Sequence, residues 1–129
     1  MPAASLTYGA PVLQVADLAR SVAHYRDCLG FAVDFDHEGF YAGVARDGCH
    51  VHLRCSPHRR RDQQAFESAE QLDACFGVAD AAALSAEFAA AGASITVPLR
   101  TMPYGREFYV RDPDGYILGF VEAAQASRS

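Results

Sequence analysis

Two imidazoles two residues apart are the first sign of chemistry in this chain. In Cys49-His50-Val51-His52-Leu53-Arg54-Cys55, an extended backbone puts His50, His52 and Arg54 on one face and the apolar residues on the other. Such a pair can share a metal ion, line a polar cavity or form the wet side of a sheet. No third ligand is apparent nearby, so metal binding ranks last of the three. Asp34, Asp36 and Glu38 occupy alternate positions of a strand and its turn. They read as a solvated face, or else as an attractor for a cationic ligand.

Nucleophilic catalysis needs an activated thiol or hydroxyl with a base and an orienting group. Cys49, Cys55 and Cys75 fall in strand-like stretches, where a buried structural thiol is the commoner role. Cys55 near His58 is the one pair worth naming, and it has no third member. Cys28 completes the cysteines, and no C-x-x-C pair occurs. Cys49 and Cys55, roughly 20 Å apart along one strand at about 3.3 Å per residue, are too far apart to bridge, and no disulfide is expected. Gly39, Gly43 and Gly48 lack the spacing and the following lysine of a phosphate loop.

The formal charge is −5, and the basic residues are all arginine. His58-Arg59-Arg60-Arg61 is a short cluster, read as a solvated loop before a site for an anionic group. Nucleic-acid binding needs a longer basic stripe, and none is present. No apolar run approaches a membrane span, and no secretory leader is visible, so a cytoplasmic location is expected. Among the aromatics Phe35, Phe40, Tyr41, Phe66, Tyr104, Phe108 and Tyr109, Tyr104 in Pro103-Tyr104-Gly105 is the one expected to be most exposed, followed by Phe66. Flat rings bind planar ligands by stacking.

The elements that must position these residues occur twice. Ala10 to Val15 reads as a strand, and Asp17 as the N-cap of a helix with Leu18, Val22, Tyr25 and Leu29 on one stripe, closed by Gly30. Strands follow at Phe31 to Asp36, Phe40 to Arg46 and Cys49 to Cys55. After a polar connection the order returns. A strand spans Ala74 to Val78, Asp80 caps a helix carrying Leu84 and Phe88, and Gly92 ends it. Strands then run over Ser94 to Leu99, Glu107 to Arg111 and Tyr116 to Glu122, the last after an Asp112-Pro113-Asp114-Gly115 turn. Val15-Ala16-Asp17 and Val78-Ala79-Asp80 stand at equivalent junctions, which marks an internal repeat. The fold class is α+β, with two βαβββ modules at about 8–55 and 74–122, a connection at 56–73 and a tail at 123–129.

Val15-Ala16-Asp17-Leu18-Ala19-Arg20-Ser21 with Tyr25-Arg26-Asp27-Cys28-Leu29-Gly30-Phe31, and Arg111-Asp112-Pro113-Asp114-Gly115-Tyr116, resemble the opening and closing signatures of the glyoxalase / bleomycin-resistance / extradiol dioxygenase (vicinal oxygen chelate) superfamily. Tyr41-Ala42-Gly43-Val44 and Gly105-Arg106-Glu107-Phe108 look closest to its bleomycin-resistance branch. The resemblance covers about Tyr8 to Glu122 and implies one domain over 1–129, cupped mixed sheets and a homodimer. It also implies metal-ligand positions, which fall at Ala10, His52, Asp73 and Gly119. Alanine and glycine have no donor atom, so no metal or other cofactor is expected.

The implied function is metal-free sequestration of an antibiotic-like small molecule, with His50, His52, Arg54, Phe40, Tyr104, Phe66 and Tyr109 as ligand-binding residues and no catalytic residue. A bleomycin-like cation would be repelled by Arg59, Arg60 and Arg61 if their loop borders the groove. The alternative is a metal-dependent lyase, isomerase or dioxygenase with a shifted ligand set around His50 and His52. A scaffold domain without a ligand is the third reading.

Overall fold

Asp17 and Asp80 start the two halves of this protein in the same way. In the computed structural model, which describes residues 3–57 and 60–124, Asp17 accepts a hydrogen bond from the Arg20 N–H at 3.1 Å and Asp80 accepts one from the Ala83 N–H at 3.0 Å. Each carboxylate satisfies a donor that the first helical turn leaves free. Helix α1 (Leu18–Asp27) and helix α3 (Ala81–Ala90) follow from these caps. Gly30 at φ 72° and Gly92 at φ 87° adopt the left-handed backbone just beyond them.

The chain divides into two compact units, residues 1–58 and 59–129. Unit 1 contains β1 (Val12–Val15), α1, β2 (Ala32–His37), β3 (Tyr41–Arg46) and β4 (Cys49–Cys55), with strand order β1-β4-β3-β2. Unit 2 contains α2 (Gln63–Ser68), β5 (Ala74–Gly77), α3, β6 (Ser94–Met102), β7 (Gly105–Arg111) and β8 (Ile117–Ala123), with order β5-β8-β7-β6. The two sheets have one topology. In each, the first strand pairs parallel with the last and the remaining pairs are antiparallel. The expected βαβββ repeat is therefore present.

Each helix covers one face of its own sheet. In unit 1, Leu18, Val22 and Tyr25 are buried with Leu13, Val15, Ala42, Val44, Val51 and Leu53. In unit 2, the Phe88 ring meets Phe108 at 5.8 Å and Phe120 at 5.2 Å, both close to edge-on. Tyr25 and Phe88 stand at the same offset from their capping aspartates, and both are fully buried. Burial of such a ring contributes roughly 1.5–3 kcal/mol.

The structure departs from the sequence reading in four places. The polar connection contains a helix, α2, capped by Asp62, whose carboxylate accepts the Ala65 N–H at 3.0 Å. Strand β6, expected to end at Leu99, includes Pro98 and continues to Met102. It lies at the sheet edge, where a missing N–H need not break a ladder, and the register shifts between Val97 and Arg100. Cys55 and Cys75, expected to be buried, are exposed residues, although the Cys75 thiol itself is partly shielded. Finally, Asp34 and Asp36 do not continue one alternation, because β2 carries an irregularity between Val33 and Phe35. All four cysteines are free, while His58 and Arg59 lie outside the described residues.

Candidate ligand site

The expected alternation in β4 is present: Val51 and Leu53 are fully buried on the α1 side, while His50 and His52 are partly exposed. His52 stands directly opposite Gly43, and Arg54 opposite Tyr41. The imidazoles, Arg54, Tyr41 and Gly43 therefore share the face turned away from α1. The irregularity at Asp34 adds a ring to that face. Val33 pairs with Val44 on the helix side, yet Phe35 pairs with Gly43 on the other side. Strict alternation would have left both on one face, so the extra residue re-aims Phe35. Gly43 is what lets the ring lie there, since a Cβ at this position would fall 2.2 Å from Phe35 Cε2.

The outcome is a cluster of rings. Phe35 stacks on Tyr41 at 5.9 Å with 13° between planes and meets His52 nearly edge-on at 5.2 Å. The Tyr41 hydroxyl and His52 Nδ1 are 3.0 Å apart, within hydrogen-bond distance. Tyr8, 55% exposed, places its ring 4.3 Å from that of His50 and 6.0 Å from that of His52. His50 Nδ1 lies 3.9 Å from Asp34 Oδ2, too far for a hydrogen bond. His52 Nε2 is buried and has no hydrogen-bond partner among the described residues. Arg54 is exposed on the same face. Phe40 is 56% exposed in the turn before β3, its ring 6.4 Å from Tyr41.

The remaining expected residues belong to unit 2. Tyr104, half-exposed in the two-residue turn between β6 and β7, donates its hydroxyl to Glu107 Oε1 at 2.7 Å. That bond to a carboxylate raises the Tyr104 phenol to about 12. Glu107 is 1% exposed and also accepts from Arg100 Nε at 2.8 Å and Nη2 at 2.6 Å. Arg100 in turn holds Glu70 through two bonds of 2.8 Å, and its guanidinium lies 5.6 Å from the ring of buried Tyr109. The two carboxylates push the Arg100 pKa further up. Arg100, Glu107 and Glu70 were missed from the sequence. The signal was there: Arg100 and Glu107 are symmetric about the Pro103-Tyr104 turn, as they must be to face each other in a hairpin.

Phe66 lies under a cation, with the Arg61 guanidinium 3.5 Å from its ring centre. Arg61 is not the free charge of a solvated loop. It forks onto both oxygens of Asp73 at 2.8 Å each and donates to the Gly115 carbonyl at 2.8 Å. This arrangement bears on the metal positions implied by the resemblance. Asp73 spends both oxygens on Arg61, and Oδ2 also accepts the Ile117 N–H at 2.8 Å. A Cβ on Gly119 would meet Leu72 Cδ1 at 2.8 Å. Val12, not Ala10, stands beside His52, and Cys75 stands beside Gly119. Burial, and then the Glu107 charge, holds the Cys75 thiol above its usual pKa, which disfavours the ligating thiolate. The residues at these positions do not fit the superfamily's metal.

A separate pocket of about 560 Å³ opens on the α1 side of unit 1, lined by Asp17, Leu18, Val22, Arg26, Asp36 and Cys55 among others. Its polar groups are already engaged. Asp17 caps α1, Asp36 accepts the Gly39 N–H at 3.1 Å, and Arg26 pairs with Asp27 at 2.8 Å. None of the expected ligand-binding residues lines it.

Comparison with known proteins gives the architecture its relatives. No curated protein sequence matches. Among solved structures, the chain is similar to the bleomycin-binding protein from bleomycin-producing Streptomyces verticillus, complexed with copper(II)-bleomycin. That match has 29% identity, covers 95% of this chain and 100% of that one, and has a TM-score of 0.72. TnmS3, an antibiotic binding protein from Streptomyces sp. CB03234, shares the fold at 18% identity, 96% and 99% coverage and a TM-score of 0.71. A glyoxalase-related enzyme from Clostridium phytofermentans does so at 20% identity, 94% and 98% coverage and a TM-score of 0.74. The sequence profile of one superfamily matches residues 7–120, across both units. With its two βαβββ units, the chain belongs to the Glyoxalase/Bleomycin resistance protein/Dioxygenase superfamily.

Proposed function

We propose that this protein binds and sequesters an antibiotic-like small molecule without a metal, as a cytoplasmic homodimer. The observation that carries the reading is the ring cluster on the open face of β4. Phe35, Tyr41 and Tyr8 surround His50 and His52, giving flat apolar surface beside polar nitrogen atoms. Ligand sites commonly combine predominantly apolar and aromatic walls with a few polar groups that fix orientation. Arg54 and Phe40 would extend this contact surface within unit 1, while Tyr104, Tyr109 and Phe66 are proposed as ligand contacts of unit 2 in its own right. The similarity to a bleomycin-binding protein supports a binding role. The engaged carboxylate of Asp73 and the lack of a donor atom on Val12, beside His52, and on Gly119 support the metal-free part.

The test has three readouts on protein purified without a histidine tag. Copper(II)-bleomycin and a panel of planar and glycopeptide antibiotics are screened by thermal shift, and at least one should raise the melting temperature. A response to none of them counts against sequestration. Elemental analysis should find no stoichiometric metal. One equivalent of iron, manganese, nickel or zinc, lost in His52→Ala, overturns the metal-free reading in favour of the metalloenzyme. Sedimentation velocity should give a dimer, and a monomer at all concentrations removes that element.

A further inference from the structure

His52 has one nitrogen tied to Tyr41 and another that is buried without a hydrogen-bond partner among the described residues. The Tyr41 hydroxyl lies 3.0 Å from Nδ1. A phenol is the better donor and a bare imidazole nitrogen the better acceptor, so the hydroxyl gives its hydrogen to Nδ1. The ring proton of neutral His52 then sits on Nε2. This N–H has no acceptor among the described residues and is shielded from water. Its ring neighbours are the faces and edges of Phe35 at 5.2 Å, Tyr41 at 5.6 Å and Tyr8 at 6.0 Å.

We propose that Tyr41 is a positioning residue that holds His52 as the Nε2–H tautomer, so that unit 1 selects planar ligands carrying a hydrogen-bond acceptor. The inference rests on the binding function proposed above and names the ligand chemistry of that site. The donor is closed off in the folded protein, so an acceptor reaches it where the ligand takes the place of the half-exposed Tyr8 ring. It then gains a bond without removing water from the imidazole. Phe35 and Tyr41, nearly parallel, supply ring surface beside it. A ligand of the same shape without the acceptor gains the stacking alone and leaves the buried N–H unpaired. This is the circumstance in which a polar site discriminates most strongly between analogues.

The experiment uses the full chain and two matched tricyclic probes, a fluorenone carboxylate and the fluorene carboxylate that lacks its ketone. Wild-type protein should bind the fluorenone more tightly by roughly 10-fold, equivalent to about 1.4 kcal/mol. His52→Phe should abolish the preference, and Tyr41→Phe should reduce it while leaving ring stacking in place. Long-range proton–nitrogen correlation spectra of histidine-labelled protein at about pH 8, where an ordinary imidazole is neutral, supply a readout that needs no ligand. They should show the His52 proton on Nε2 in wild type and a mixture of tautomers in Tyr41→Phe. A proton on Nδ1 in wild type overturns the proposal. Equal binding of both probes overturns it while leaving the binding function standing. Binding of neither probe sinks the acceptor assignment and counts against the binding function as well.

Discussion

The two units share a topology and a way of packing their helices, yet their other sheet faces hold opposite chemistry. In unit 2 that face carries charges closed upon one another: Arg100 with Glu107 and Glu70, Arg61 with Asp73, and Arg111 with Glu67. In unit 1 it carries aromatic rings and two imidazoles, each with a nitrogen atom that has no hydrogen-bond partner among the described residues. The helix side is set by packing, which the repeat preserves. The other side is free to diverge. A fully satisfied ionic network stabilises and orients its own members, whereas an unsatisfied donor among rings has its best use in a ligand.

Four experiments would break or sharpen this contrast. The largest effects belong to what the units share. Tyr25→Ala and Phe88→Ala each empty the centre of a helix–sheet interface and should cost about 3–5 kcal/mol in urea denaturation. A much smaller loss in one of them would break the equivalence of the two helix-side cores. Next comes the difference between the faces. Arg100→Met leaves the buried Glu107 carboxylate with only Tyr104 and should cost roughly 3 kcal/mol, while His52→Phe should change stability by less than about 1 kcal/mol. Comparable losses from the two would mean that the unit 1 face is as structural as that of unit 2.

Gly43→Val drives a side chain into the space of Phe35 and should cost about 1–3 kcal/mol, with loss of any ligand response. Unchanged stability and binding would show that the ring has another place to go. The smallest effect concerns pH. The bonds from Arg111 hold the Glu67 carboxyl down at about 2, against an ordinary 4.5. Its folded-state pKa is depressed, so its contribution is present above 4.5 and is lost as pH falls toward 2. Thermal melts of Glu67→Gln should therefore show a shallower loss of stability over that window than wild type. Parallel curves would deny the Glu67–Arg111 pair its place in the network.

Much of this protein was legible in order along the chain. Asp17, Asp80, Gly30, Gly92 and the Asp112–Gly115 turn act through atoms only a few residues away, so their roles follow from residue type and spacing. The alternation in β4 was equally plain, because successive side chains of a strand point to opposite faces. The site was less legible. Phe35 reaches the imidazoles only because β2 has an extra residue at Asp34, and such an irregularity has no fixed signature in sequence. Arg100 lies just beyond the strand expected over Ser94 to Leu99, and only the longer edge strand, which runs to Met102, brings it opposite Glu107.

The sequence by itself thus determined the repeat, the caps, the turns and which face of β4 carries His50, His52 and Arg54, since these depend on local geometry. Tertiary structure alone decided the Tyr41–His52 contact, the closing of Arg61 on Asp73 and the burial of Glu107 beneath Arg100. Each of these joins groups on different strands or across a connection, and only register fixes which atoms meet.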